Sequence, residues 1–431
     1  MRTLVKNKRL TILIRTALAV VLVLLAGALA VRLYGKAKLD KAHKDAESAW
    51  RDEAPSRPAN SLGEKDAIVW LAAGGRAAVI EGDARDRLAD LASALKQPDL
   101  STAQISQAEV LLDTNAPAIT LLHRAEGLQA SASPLFTPGG DWWKYDISKF
   151  TESITTGRLL ALEARLAWRK GDWNRFFNSA RLLAIWSQAL ESDPSSQSES
   201  NASMWLGTAS EGLLTAALRE AAQSPTCPLS MAINLPGLVP ETDLLMPWRA
   251  FLHGQVKVAE DPYDDQVDAR VLWPEMNGPE AFLDNLLLGD WIHANFIEYN
   301  VRLAMVSMKP YAREKDAIPG GFSVPSLRGK TWMPNSYLKG NLARLQGTLA
   351  QRQLAKAALE ALAARQRLGY WPEASALPLG PDSFTGNPLR YEIMPDGVLR
   401  LSCPGLAALY AASPRDSGFK IADTWTLPAA R

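Results

Sequence analysis

Thiol chemistry is scarce. Cys227 and Cys403 are the only cysteines in a chain of 431 residues, too few for a disulfide framework or a four-thiolate zinc site. One disulfide between them and two unpaired thiols beside Pro228 and Pro404 are both open readings. Histidine is nearly as sparse. His43, His123, His253 and His293 are scattered, with no H-E-x-x-H and no i, i+4 pair that would place two ligands on one helix face. A charge excess is also missing: 47 Lys and Arg face 46 Asp and Glu, leaving a formal charge of +1. The clustered basic surplus of a nucleic-acid binder is therefore absent.

The common catalytic signatures are absent as well. There is no G-x-x-x-x-G-K-[ST] and no G-x-G-x-x-G, so no nucleotide is expected, and no other cofactor. Gly207-Thr208-Ala209-Ser210-Glu211-Gly212 has one residue too many for a nucleophile elbow and lies in helical text. S-x-x-K occurs at Ser93, Ser336 and Ser417 without the S-D-N and K-T-G that would give it meaning. Glu260, Asp261, Asp264, Asp265 and Asp268 are hard oxygen donors, yet they lack the spacing and the glycine of an EF-hand loop and read as a solvated acidic loop. No catalytic residue and no metal ligand is singled out.

What the chain does have is one long apolar run. Thr16 to Val31 carries no charge, with Arg2, Lys6, Lys8, Arg9 and Arg15 before it and Arg32 after it. As a helix it is about 24 Å long against a hydrocarbon core of about 30 Å. Snorkelling of Arg15 and Arg32 extends it to residues 12–34. The expectation is a single-pass anchor in the inner membrane, contacting the bilayer through residues 12–34, with the bulk of the chain on the exported side. Ala28-Leu29-Ala30 leaves a cleaved signal peptide as the competing reading.

Beyond the anchor the text is mainly helical. Residues 1–34 form the cytoplasmic tail and anchor, and 35–60, charged until Pro55 and Pro58, a stalk. Residues 61–222 read as a helical domain, with Gly74-Gly75, Pro98 and Pro117 as interruptions. Its clearest signal spans 156–190: Leu159, Leu162 and Leu166, then Trp173, Phe176, Ala180, Leu183 and Ser187, recur at helical spacing around Gly171-Asp172. Gly suits a helix C′ position and Asp an N-cap, which predicts an antiparallel helical hairpin; it resembles one tetratricopeptide-type unit, with no second copy at a 34-residue period. Residues 223–340 mix helix with Pro/Gly-rich loops: the proline-rich stretch Gln223 to Glu241 reads as a connector, 279–308 as helix and 317–335 as a long loop. Asn341 to Leu368 is the longest helical pattern, with Leu342, Leu345, Leu349, Leu354, Ala358 and Leu362 on one broad face. Leu389 to Ile393 and Val398 to Ser402, around Pro395-Asp396-Gly397, predict a small C-terminal β-hairpin. Residues 406–431 are a tail.

Residues 341–405 carry a resemblance. The long helix, the turn Gly369-Tyr370-Trp371-Pro372, and Asp382-Ser383-Phe384-Thr385-Gly386-Asn387-Pro388-Leu389-Arg390-Tyr391 leading into strands resemble the C-terminal part of type II secretion major pseudopilins. The ending, together with the 156–190 hairpin, also resembles uncharacterised single-pass bacterial membrane proteins with a helical exported domain. The first likeness implies a local module in which Gly369 ends the helix and Pro372 redirects the chain. Phe384, Pro388, Leu389 and Tyr391 would then pin the strands to the helix, with Tyr370 and Gly386 completing the pattern. The chain departs from the pseudopilins in lacking a prepilin-peptidase site before Thr16 and an acidic calcium-binding tail after Ser402.

Tryptophan is the one excess, with fourteen. Most fall at core spacing on predicted helices, but Trp142-Trp143 follow a Pro/Gly loop and are the candidate partner or ligand surface. Two functions remain open. One is an envelope interaction or scaffold protein with a protein partner, in a secretion or pilus-like assembly. The other is an envelope enzyme or carbohydrate-binding protein with a Trp-lined cleft.

Overall fold

The computed structural model describes residues 2–50, 65–79, 101–130, 147–192, 202–224, 226–260, 279–310, 321–326, 329–334, 336–406 and 423–429. They are mainly helical, with one long apolar N-terminal helix and a small three-stranded antiparallel sheet. The chain divides into two compact units, one built from 1–53, 252–305 and 318–339, the other from 54–251, 306–317 and 340–431.

In the first unit, helix α1 (Arg2–Ala49) runs unbroken through the apolar stretch and into the segment expected to be a stalk. It is longer than the helix at 336–368, which was expected to be the longest. It is long and apolar enough to cross a membrane, and its apolar window is uncovered. Leu18, Val20 to Leu25, Leu29, Leu33 and Tyr34 keep their side chains exposed. From Gly35 onward the helix buries one stripe, Gly35, Ala42, Ala46 and Trp50. Helix α10 (Pro279–Ser307) supplies part of the cover. The indole of Trp50 stacks on His253, centroids 4.9 Å apart and planes 7° from parallel. The stretch 317–335 is not only loop. Strands β1 (Gly321–Ser326) and β2 (Gly329–Pro334) pair antiparallel, with Pro325 opposite Lys330. A two-stranded ladder is all edge, where proline's missing N–H costs little.

The second unit is a helical core carrying the sheet. Helices α2 (Ala67–Ala77), α3 (Thr102–Thr114), α4 (Ala116–His123), α5 (Ile147–Arg169), α6 (Trp173–Glu191) and α7 (Ala202–Gln223) pack on one another. Gly74-Gly75 does not interrupt α2. A methyl group on Gly74 would collide with Leu122, and one on Gly75 with Thr156 and the Glu152 carbonyl. The pair lets α2 approach α4 and α5 closely. Pro117 sits in the first turn of α4, where a missing N–H is harmless, so it starts a helix. Between α5 and α6, Gly171 turns at φ 77° and Asp172 caps Arg175 N at 3.1 Å. Leu159, Leu162, Leu166, Phe176, Ala180, Leu183 and Ser187 are buried, and Trp173 is half-buried.

The proline-rich stretch after 223 is partly regular: Pro228 caps helix α8 (Leu229–Asn234), and Pro236 lies in the first turn of a 3-10 segment, Leu235–Leu238. Helix α9 (Leu245–Glu260) follows. Helix α11 (Ser336–Leu368) begins before the expected Asn341 and buries Leu342, Leu345, Leu354, Ala358 and Leu362.

Strands β3 (Arg390–Ile393), β4 (Leu399–Ser402) and β5 (Thr424–Leu427) form one sheet in that order. The third strand falls in the stretch expected to be a tail. Its Trp425 and Leu427 pair with Leu401 and Leu399, and all four are fully buried. The sheet's apolar face and α11 share the hydrophobic core of the other helices. Two strands alone are marginal in water; a third with a buried Trp supplies apolar area that the expected hairpin lacked.

Candidate functional site

The C-terminal module assembles from short-range interactions. Gly369 ends α11 with φ 80°, its N–H donating to the Arg365 carbonyl at 2.8 Å. The buried Pro372 then turns the chain, and its carbonyl accepts from the Tyr391 hydroxyl. Trp371 donates its indole N–H to Gly397 O at 2.8 Å, tying the helix end to the β3–β4 turn, while the Arg365 guanidinium covers the Trp371 ring at 4.3 Å.

Asp382 organises the next loop. It is 1% exposed and accepts from Phe384 N at 2.9 Å, from Thr385 N and from the Thr385 hydroxyl. Gly386 takes φ 70° to close the loop, and Pro388 faces Pro381 across it. Phe384 and Leu389 are buried, and a methyl group on Gly405 would collide with Thr385 and press on Phe384. The module thus gathers Gly369, Pro372, Phe384, Gly386, Pro388, Leu389 and Tyr391. Tyr370, by contrast, is 64% exposed, as are Leu368 and Ile393 at about half their surface. Ile393 lies on the same sheet face as Leu399 and Leu427, which are fully buried, yet is itself half exposed.

Three ionic clusters that the sequence reading did not identify lie among the helices of the second unit. In the first, Glu163 of α5 is 1% exposed and meets His123 Nε2 at 2.8 Å, Arg175 Nε at 2.9 Å and the Ser179 hydroxyl at 2.9 Å. The Glu163 hydrogen bond, with Glu126 assisting, raises the His123 pKa to about 9. Burial opposes ionisation of Glu163, but the bonds from His123, Arg175 and Ser179 outweigh it and hold its pKa below the ordinary value.

In the second cluster, Arg165 of α5 grips Glu220 of α7 with two guanidinium nitrogens, Nε to Oε2 at 2.7 Å. Burial dominates at both groups, lowering the arginine and raising the acid.

In the third, Arg352 of α11 reaches Glu211 of α7 and Glu191 of α6, and its Nη1 donates to the Thr242 carbonyl. Burial, reinforced by the Glu211 charge, pushes Glu191 up to about 8 despite Arg352. The helix 202–223 can approach Glu191 only because residue 207 is glycine: an added Cβ would lie 2.6 Å from the Glu191 side chain and 2.9 Å from the Ser187 carbonyl. The G-T-A-S-E-G segment is therefore a packing surface, with Ser210 bonded to its own helix at Leu206 O, 2.9 Å.

These charges were legible in principle. Glu163, Glu211 and Arg352 each fall in register with the buried apolar face of their own helix: Leu159 and Leu166, Leu214 and Leu218, Ala355 and Leu359. A charge at such a position needs a partner.

Cys227 and Cys403 are free thiols, half-buried and buried, and burial pushes both up to about 11, away from thiolate chemistry. Among the described residues no three His, Cys, Asp or Glu converge as a metal site. Trp142 and Trp143 lie outside the described residues, as does the acidic stretch from Asp261 to Asp268. Trp186 and Trp248 are packed in the interior. No protein family, no curated protein and no solved structure matches this chain.

Proposed function

We propose that this protein is a membrane-anchored scaffold of the bacterial envelope. In this reading α1 holds it in the inner membrane with the bulk of the chain on the exported side, and the folded part binds another envelope protein within a secretion or pilus-like assembly. The observation that supports it best is the change along α1 from the uncovered large apolar side chains between Leu18 and Tyr34 to the buried stripe Gly35, Ala42, Ala46 and Trp50 within one helix. An uncovered apolar stretch of that length is suited to a lipid environment.

The association half of the reading draws on two further points. The buried charges of the second unit are engaged with one another in holding helices together. The C-terminal module, whose sequence resembles the pseudopilin ending, presents Leu368, Tyr370 and Ile393 to solvent at the end tied by the Trp371–Gly397 bond.

The test has two parts, both on the full chain in its native membrane. Carbonate or high salt should leave the protein in the membrane, and protease added from the outer face should digest the residues after 35. Recovery of a soluble species beginning near Val31 refutes the anchor. A photo-crosslinking residue at Tyr370 or Ile393 should yield one reproducible adduct with an envelope protein, and the adduct at position 370 should be lost when Ile393→Asp is added. Absence of any adduct at either position refutes the association surface.

A further inference from the structure

In the second unit the C-terminal ends of α5 and α7 bring arginines together in excess. Arg165 and Glu220 form a buried floor, with 1% and 4% of their side-chain surface exposed. Arg165 takes both Glu220 oxygens, Nε donating to Oε2 at 2.7 Å and Nη2 to Oε1. Two more guanidinium groups lie beside this pair. Arg169 approaches Glu220 Oε2 only to 3.8 Å, beyond hydrogen-bond distance. Arg219, the neighbour of Glu220 on α7, is attracted by the Glu220 charge and repels Arg165. It is half-buried and makes no hydrogen bond among the described residues.

The balance of charge sets this cluster apart from the other two. Around Glu163, the acids Glu163 and Glu126 face the cations His123 and Arg175; around Arg352, Glu191 and Glu211 face one cation. Here three arginines face one acid among the described residues. The C-terminal ends of α5 and α7 supply about half a negative charge each, which leaves about one positive charge without an opposite. Lys170 adds nothing to the excess, since it pairs with Glu109 at 2.7 Å. A neighbouring donor is idle as well: Trp168 Nε1 is buried with no hydrogen-bond partner among the described residues. The Arg169 guanidinium lies over the Trp168 ring, 4–6 Å being the range of such contacts, at 5.2 Å from its centroid, so indole and arginines belong to one patch. A charge or a donor held away from water without a partner costs free energy.

We propose that Arg169, Arg219 and Trp168 form a binding site for a phosphate group, with the Arg165–Glu220 pair as its fixed floor. A phosphate group supplies the missing negative charge and several strong acceptor oxygens. The planar guanidinium fork matches two of those oxygens, and an indole N–H can serve a third. A carboxylate has two oxygens and would leave one of these donors idle. Glu220 does not repel the ion, because Arg165 already neutralises it. The site can be reached from solution: Arg169 keeps 18% of its side-chain surface exposed, and Arg219 is half-buried. Free phosphate and the phosphate of a small ester share this chemistry. The site is independent of the membrane anchor and of the surface around Tyr370 and Ile393.

The experiment uses the full chain in detergent, in phosphate-free buffer with the ionic strength held constant by NaCl. Inorganic phosphate is titrated calorimetrically, and thermal melts are followed by circular dichroism. Binding should saturate, and the melting temperature should rise with phosphate beyond any change that NaCl gives. Arg169→Gln and Arg219→Gln should each weaken binding by about tenfold or more, the loss of a hydrogen bond between charged groups. Arg181→Gln, at an exposed position of α6, should bind as the parent does. Trp168→Phe keeps a ring and removes the N–H, so it should lower the affinity without lowering the melting temperature of the phosphate-free protein. Glycerol 3-phosphate binding more tightly than inorganic phosphate assigns the site to an ester, and the reverse assigns it to the free ion. No saturable binding of either overturns the site, as does binding that neither arginine variant weakens. If one arginine variant does not fold, the other decides.

Discussion

Arg352 and Glu211, 141 residues apart in sequence, form a two-point ion pair, Nε to Oε1 at 2.9 Å and Nη2 to Oε2 at 2.7 Å. Glu191 joins it at 3.2 Å, so two buried carboxylates share one guanidinium. The pair ties α11 to α7, and through Glu191 to α6. Removing the cation strands two acids in the interior, so Arg352→Ala should destabilise the second unit by about 3–5 kcal/mol. Thermal melts of the detergent-solubilised protein by circular dichroism measure this; an unchanged melt would show that the cluster contributes nothing to stability.

The acid in excess is Glu191, raised from 4.5 to about 8 by burial and by Glu211. The fold prefers it protonated, so its contribution is complete below about pH 4.5 and declines as pH rises toward 8. Glu191→Gln should remove this decline and melt higher than the parent at pH 8. A variant with the parent's pH slope over that window would assign the proton elsewhere.

His123 behaves in the same direction over a later window. Its pKa is raised from 6.5 to about 9, chiefly by Glu163, so the stabilisation is full below about pH 6.5 and lost as pH passes 9. His123→Ala should cost about 1.5–3 kcal/mol, the value of hydrogen bonds to a charged group, at pH 6 and much less above pH 9. Titration of the His123 ring proton by NMR near 6.5 would contradict the arrangement.

Gly75→Ala places a methyl group against the Thr156 hydroxyl and the Glu152 carbonyl. Overpacking of this kind typically costs about 1–3 kcal/mol. The helix propensity of alanine would by itself raise the melting temperature, so a lowered one isolates the steric term.

In the C-terminal module, Phe384 is 3% exposed and packs against Gly405. Phe384→Ala should cost about 3–5 kcal/mol locally and raise amide hydrogen exchange across 390–402. Trp425→Ala should do the same through β5. Unchanged protection in both would mean the sheet holds without its buried aromatics.

The sequence by itself determined the long apolar helix, the mainly helical class and the turn at Gly171-Asp172. Each is set by neighbours within a few residues: an uncharged run, an apolar period, a positive φ, an Asp cap. Tertiary structure alone decided the rest. Gly74-Gly75 reads as a break until α4 and α5 are placed against it, because a missing Cβ signals close approach and freedom equally. Pro325 and Pro334 suppress a strand reading until a partner strand accepts them at an edge. Trp425 looks like part of a tail because its pairing partner, Leu401, lies across a turn and a long intervening segment. Glu163, Glu211 and Arg352 look like solvated charges because the groups that neutralise them come from other helices. Burial of a charge is a property of the packed assembly, and no local pattern fixes which opposite charge will be brought to it.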